Sequence, residues 1–130
     1  MKSLIRILLF SFVALSFTPP SEINLMWGPI INFDQTNTAV CNKDMLELAI
    51  PDPMQIFVDH KEFKVQSAHI EMITSSGITI NYEMHGGLVP VSFINDVKKY
   101  KGQSAMIYIE NIDASTAETI PNFTIRMRSL

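Results

Sequence analysis

Hydrophobic and polar residues alternate with a period of two along much of the second half of the chain. In residues 68–73 every second position is apolar, and residues 78–85 repeat the pattern. The polar segment between them ends in Gly77. Alternation on both sides of a polar turn that ends in glycine predicts a β-hairpin.

Two further runs near the C-terminal end, residues 104–111 and 123–128, alternate in the same way. Each predicts a strand with one apolar and one polar face. Four half-buried strands are not stable as isolated hairpins and need a second layer. The sequence therefore predicts a mainly β fold, either a sandwich or a curled sheet.

One segment departs from the alternation and predicts a short helix over about Phe93–Tyr100. Ser92 stands at the N-cap position, lysines in the last turn suit the negative end of the helix dipole, and Gly102 provides the stop. Just before this helix, Pro90 lacks a backbone donor. Residues 88–91 are therefore expected to form an edge strand or a connector.

The first residues have the pattern of a secretory signal peptide. Lys2 and Arg6 precede an apolar run of about a dozen residues, which Pro19 and Pro20 end. The run is shorter than the roughly 20 apolar residues that a membrane-spanning helix needs. We predict a signal peptide over residues 1–16 and a periplasmic or secreted protein, with an uncleaved N-terminal anchor as the alternative.

The remainder divides into a leader and a domain in this interpretation. Residues 17–43 contain Pro29 and scattered polar residues without a helical period, which predicts an extended leader. Residues 44–130 form the domain. Trp27, the only tryptophan, lies in the leader segment and is expected to pack onto the domain, with partner binding as the alternative.

Composition narrows the classes of function. The chain has 130 residues, of which 47% are hydrophobic, and this is enough for a core. Its formal net charge of −3, which becomes −5 without Lys2 and Arg6, argues against nucleic-acid binding. Cys41 is the only cysteine, so an internal disulfide is excluded; the thiol either cross-links two chains or stays buried.

Candidate catalytic and metal-binding groups are few. His85-Gly86-Gly87 is similar to the oxyanion loop of some esterases, but the chain has no G-x-S-x-G nucleophile elbow. His69 and His85 fall on the polar faces of the predicted hairpin, where they are expected to be neighbours. Together with the acidic segment 52–62 they give a metal site as an alternative. We predict a non-enzymatic protein without a cofactor or a resident metal.

Four short motifs follow one another from Ile50 onward: Ile50-Pro51-Asp52-Pro53, the strand Glu62–Ile70, the helix end Val97–Gly102 and the strand Met106–Ile112. In this order they resemble the last C-terminal domain of the gliding-motility protein GldM and its PorM relatives. In that family a "PDP" turn and an "F-x-V-x-S-F" strand lead to a short helix that ends near a "K-x-G" step.

The resemblance covers about residues 50–130 and implies a small immunoglobulin-like β-sandwich. It further implies a periplasmic protein-contact domain linked to gliding motility and type IX secretion. The chain departs from the family at residues 54–58, where the family has a glycine-rich stretch. Family members are also long, with a transmembrane helix and several domains, so their motor role is not implied.

These observations predict a small exported protein-interaction module. The expected partner is another periplasmic or envelope protein, or a second copy in a dimer; no nucleic acid and no membrane span after processing are expected. The predicted contact residues are Leu88, Val89 and Val91 on the expected edge strand, and Tyr108, because an exposed strand edge accepts another strand. A periplasmic β-protein that binds a small ligand or a metal is the alternative.

Overall fold

Seven strands and two helices make up residues 21–128, the part of the chain that the computed structural model describes. The mainly β class predicted from the sequence is confirmed. The predicted signal peptide, residues 1–16, lies outside the described residues. In chain order the elements are β1 (Ile23–Met26), β2 (Thr38–Asn42), α1 (Lys43–Ala49), β3 (Gln55–Val58), β4 (Lys61–Thr74), β5 (Thr79–His85), α2 (Val91–Lys99), β6 (Ser104–Ala114) and β7 (Phe123–Arg128).

Five of the strands form what we call the large sheet, in the order β5-β4-β6-β7-β2. Neighbouring strands are antiparallel except β2, which runs parallel to β7. The first residues of the long strand β4 pair with β3, which in turn pairs with β1; these three form the small sheet. Because β4 joins both parts, the strands form one curled sheet, and the immunoglobulin-like sandwich stays a prediction.

The hairpin predicted from the alternation is present as β4 and β5. Ile70 lies opposite Tyr82, and both side chains are buried, as are Met72 and Met84. Gly77, with φ of 86°, completes the connecting turn in a conformation that glycine adopts readily. The period of two therefore identifies the side chains that face the core.

Strand β6 keeps the predicted alternation as far as Glu110 and then changes phase. Ile107 and Ile109 are fully buried, whereas Met106, Tyr108 and Glu110 are half-buried on the opposite face. Asn111 has φ of 51°, and next to it the register between β6 and β4 shifts. The extra residue of this bulge turns Ile112 back toward the core.

The predicted helix is present as α2, which begins two residues before Phe93. Pro90, rather than Ser92, occupies the N-cap position, and no side chain caps this end. The aromatic ring of Phe93 packs edge-on against Tyr82 at 5.1 Å between ring centroids. The Tyr82 hydroxyl donates a 2.7 Å hydrogen bond to Asp96 on the same helix. These contacts place α2 on the core side of the large sheet.

The segment predicted as a leader belongs to the packed core, which corrects the domain boundary at residue 44. Strands β1 and β2 both lie within residues 17–43, and the side chains of Leu25, Trp27 and Ile30 are buried. Trp27 packs onto the domain as expected, and its Nε1 donates to the backbone oxygen of Asp52 at 3.1 Å. Burial of so much apolar surface makes this segment part of the folding unit.

Helix α1 was not predicted from the sequence. Asn42 caps its N-terminus, and the Asn42 Oδ1 accepts a 2.8 Å hydrogen bond from the Met45 backbone N–H. Leu46 and Ala49 are buried, so α1 also packs on the core side. An Asn cap four residues before an apolar position is the signal that identifies this helix.

Candidate functional site

Of the edge strand and the connector expected over residues 88–91, the structure has the connector, so no strand edge is available there. Leu88 and Val89 lie in a connector, and Val91 is the first residue of α2. Pro90 fits at a helix N-terminus because the missing backbone donor is not needed there. Leu88 and Val91 are 54% and 69% exposed, whereas Val89 is buried.

Tyr108 also cannot accept an added strand through its backbone. It lies in the middle of β6, opposite Glu71 of β4 and Thr124 of β7, so both edges of the strand are already paired. Its side chain is half-buried and points away from the core. Any contact that Tyr108 makes with a partner must therefore use the face of the sheet and not an edge.

Tyr108 is at the centre of the one broad surface that the large sheet presents away from the core. Both helices contribute their buried side chains to the opposite side, and half-buried apolar residues remain on this surface. We call it the outer face. It comprises Val40 of β2, His69, Glu71 and Ile73 of β4, Asn81 and Glu83 of β5, Met106, Tyr108 and Glu110 of β6, and Thr124, Arg126 and Arg128 of β7.

His69 lies among the acidic side chains at one end of the outer face. Its Nδ1 lies 2.5 Å from the Glu83 carboxylate and its Nε2 lies 3.0 Å from the Asn81 side-chain oxygen, so acceptors face both ring nitrogens. On the other side, His69 is opposite Glu110 of β6. The hydrogen bond to Glu83, supported by that to Asn81 and by the charges of Glu83 and Glu110, raises the pKa of His69, although partial desolvation opposes the shift.

Charge is divided between two ends of the outer face. Glu71, Glu83 and Glu110 form an acidic cluster on β4, β5 and β6, while Arg126 and Arg128 form a basic pair on β7. Within residues 21–128, neither arginine forms an ion pair with the acidic cluster. Adjacent strands are about 4.8 Å apart, so Glu71 on β4 lies two strands away from the basic pair, whereas Glu110 lies on the neighbouring strand β6.

Apolar side chains share one row of the outer face with Arg126. The register places Ile73 beside Met106, Met106 beside Arg126, and Arg126 beside Val40. Val40 is 54% exposed, and Ile73 and Met106 are half-buried. With Tyr108 in the next row, the centre of the outer face has the apolar and aromatic side chains that are common in protein interfaces.

His69 lies on the predicted polar face, but its neighbour across the ladder is not the expected His85. In the structure His69 lies opposite Glu83, and His85 lies opposite Ser67. The turn carries the missing information. The Thr74 N–H donates to the Ile78 carbonyl across residues 75–77, and counting outward from this pair places Ile73 opposite Thr79 and hence His69 opposite Glu83. The register of Glu110 against His69 needs the long-range pairing with β6 and has no local signal.

The metal and esterase alternatives gain no support from this geometry. Among the described residues, no group of three or more His, Cys, Asp or Glu side chains is placed to hold a metal ion. Gly86, in the segment similar to an oxyanion loop, donates its backbone N–H to the Gln66 carbonyl oxygen. That donor is therefore used to end the hairpin and is not available to an oxyanion.

Cys41 lies on the core side of β2 and is 4% exposed. Burial raises the pKa of its thiol to about 11. Of the two alternatives open from the sequence, the structure agrees with a buried thiol, because a cross-link between chains would need an accessible sulfur.

The small-ligand alternative would need an enclosed apolar pocket. The described surface has open pockets of about 230, 270 and 420 Å³. The most enclosed of these, between Met54, Lys64 and Gly87, has a volume of about 230 Å³. Typical ligand sites have volumes of roughly 300–1,000 Å³ and bury most of the ligand. The outer face is therefore the better candidate for a functional surface.

Comparison with protein-family models, with curated proteins and with solved structures finds no match to this chain. Within residues 21–128, neither helix has the length and apolar character to cross a membrane.

Proposed function

We propose that the chain is an exported, non-catalytic protein-interaction module that binds its partner through the outer face of the large sheet. The observation that carries this proposal is a sheet face that no element within residues 21–128 covers, with an apolar and aromatic centre between an acidic cluster and a basic pair. An interface of this composition buries its centre and leaves charged groups at its rim, where they orient the partner.

Export and the kind of partner are proposed on the sequence. The signal-like N-terminus supports a periplasmic or secreted location. The resemblance of residues 50–130 to the GldM and PorM C-terminal domain supports an envelope partner linked to gliding motility or type IX secretion. Cell fractionation tests the location: a processed chain in the periplasm supports export, and full-length chain in the cytoplasm contradicts it.

Site-specific photo-cross-linking tests the contact surface. A benzoylphenylalanine residue replaces Tyr108 at the centre of the outer face, and in a control chain it replaces Leu48, which is 65% exposed on α1. After illumination of the producing cells, we expect a covalent protein adduct from the Tyr108 position and none from Leu48. Mass spectrometry then identifies the partner. Absence of an adduct at Tyr108, or equal adducts at both positions, would contradict the proposal.

A further inference from the structure

We propose that the partner bound by the outer face is a second copy of this chain, in a symmetric dimer that stacks the two large sheets face to face. The inference rests on the proposed function and names the partner for the same surface. It depends on the positions of the acidic cluster and the basic pair relative to each other, and on the apolar side chains of Ile73, Met106 and Tyr108 near the centre of the face.

The charge pattern of the outer face is self-complementary. Glu71 and Glu110 lie on β4 and β6, and Arg126 and Arg128 lie beyond them on β7. A two-fold axis that runs in the plane of the interface, midway between the two clusters, brings each acidic cluster over the partner's basic pair. The same operation forms the contact twice, which is the property of an isologous interface.

Neither cluster is neutralised by the other within one chain. Within the described residues the two arginines make no ion pair with the acidic cluster. Glu71, Glu83 and Glu110 place three carboxylates in one corner of the outer face, with His69 among them. Two guanidinium groups from a second copy suit this corner, because Arg binds carboxylates through paired hydrogen bonds.

Apolar side chains supply the buried centre of such a dimer. Met106 and Tyr108 of β6 lie between β4, which carries Glu71, and β7, which carries the basic pair. Ile73 lies beside Met106, so a two-fold axis midway between the clusters passes close to all three side chains. Sheets pack face to face at about 10 Å, a spacing that side chains of this size fill.

The size of the face sets the expected affinity. Five strands about 4.8 Å apart and four rows about 6.8 Å apart cover about 650 Å² per copy. A total of about 1,300 Å² is at the lower end of the range for a specific interface. We therefore expect a dissociation constant in the micromolar range, which rises with salt because charge pairs contribute to it.

Charge-swap variants test the proposal. In the full chain, E71K/E110K makes both ends of the outer face basic while it keeps the hydrogen bond between Glu83 and His69. R126E/R128E makes both ends acidic. Sedimentation equilibrium over a micromolar concentration range should give the mass of two chains for the wild type. Each variant alone should dissociate, with a dissociation constant higher by about tenfold or more.

Mixing the two variants is the decisive step. Each basic end then meets an acidic end, so an equimolar mixture should form a heterodimer although neither variant dimerises alone. The control K64E/K99E changes the charge of exposed side chains on β4 and α2 away from the outer face and should dimerise like the wild type. Circular dichroism spectra that match the wild type confirm that each variant is folded.

The possible results separate this proposal from the proposed function. A monomeric wild type that still cross-links a different protein from Tyr108 overturns the dimer and leaves the interaction module standing. A monomer without any adduct contradicts both. A wild-type dimer that the charge-swap variants do not weaken, or a mixture that fails to associate, overturns the outer face as the dimer interface.

Discussion

The two faces of the large sheet differ in what their residues do, although the same strands carry both. On the core face, Ile70, Ile107 and Ile125 are fully buried side chains in adjacent strands. One residue away along each strand, the outer face carries Glu71, Tyr108 and other half-exposed residues. The first face determines whether the chain folds, whereas the second is free to vary with the partner. Substitutions on the core face should therefore affect stability, and substitutions on the outer face should affect association.

The largest difference between the two faces is expected in the free energy of unfolding, when adjacent residues of β6 are replaced. Ile107→Ala leaves a cavity in a fully buried row and should lower the free energy of unfolding by about 2–5 kcal/mol. Met106→Ala removes a half-buried side chain from the outer face and should lower it by less than about 1 kcal/mol. Urea denaturation of both variants, measured at a concentration where the wild type is monomeric, gives the comparison. Equal losses would show that the outer face is packed as tightly as the core.

Adjacent residues of β2 allow the two faces to be compared by the alkylation rate of a thiol. The Cys41 thiol has a pKa raised to about 11, and its side chain is buried. Since the thiolate is the reactive form, alkylation at pH 8 should be slower than for an exposed thiol by about a hundredfold or more. A Val40→Cys, Cys41→Ala variant moves the thiol to the outer face and should react at the rate of an exposed cysteine. Mass spectrometry over time measures both rates; rapid alkylation of native Cys41 would contradict its burial.

The core face could be predicted from the sequence because alternation is a local signal. Ile70, Ile107 and their neighbours repeat every second position over six or more residues, which is enough to assign a face. Strands β1 and β2 have only four and five residues, and β2 pairs with β7 from the far end of the chain. Short strands with distant partners carry no such signal, so the segment that contains them was interpreted as a leader.

The candidate site was predictable only in part, for a related reason. Alternation places His69 and Tyr108 on polar faces, but it does not say which side chains become neighbours across strands. The acidic cluster and the basic pair exist only once β5, β4, β6 and β7 are aligned, and this register is set by long-range hydrogen bonding. Tyr108 was predicted as a contact residue for its strand edge, whereas the structure leaves only its side chain available.

The smallest expected effect concerns the protonation of His69 on the outer face. Because its pKa is raised in the folded chain, the stability that its charged form contributes is present below the pKa of an unfolded histidine and is lost as pH rises through the folded pKa. Glu83→Gln replaces the carboxylate, whose hydrogen bond to His69 is the main cause of this shift, with a neutral amide. An NMR titration should show the pKa of His69 falling toward the ordinary value in this variant, with no change in the control Glu62→Gln on the small sheet.

Urea unfolding at pH 5.5 and 8.5 should then show a smaller loss of stability with rising pH in Glu83→Gln than in the wild type. An unchanged titration would mean that Glu110 and Asn81 alone raise the pKa of His69. The charged form of His69 would then not depend on Glu83 of β5.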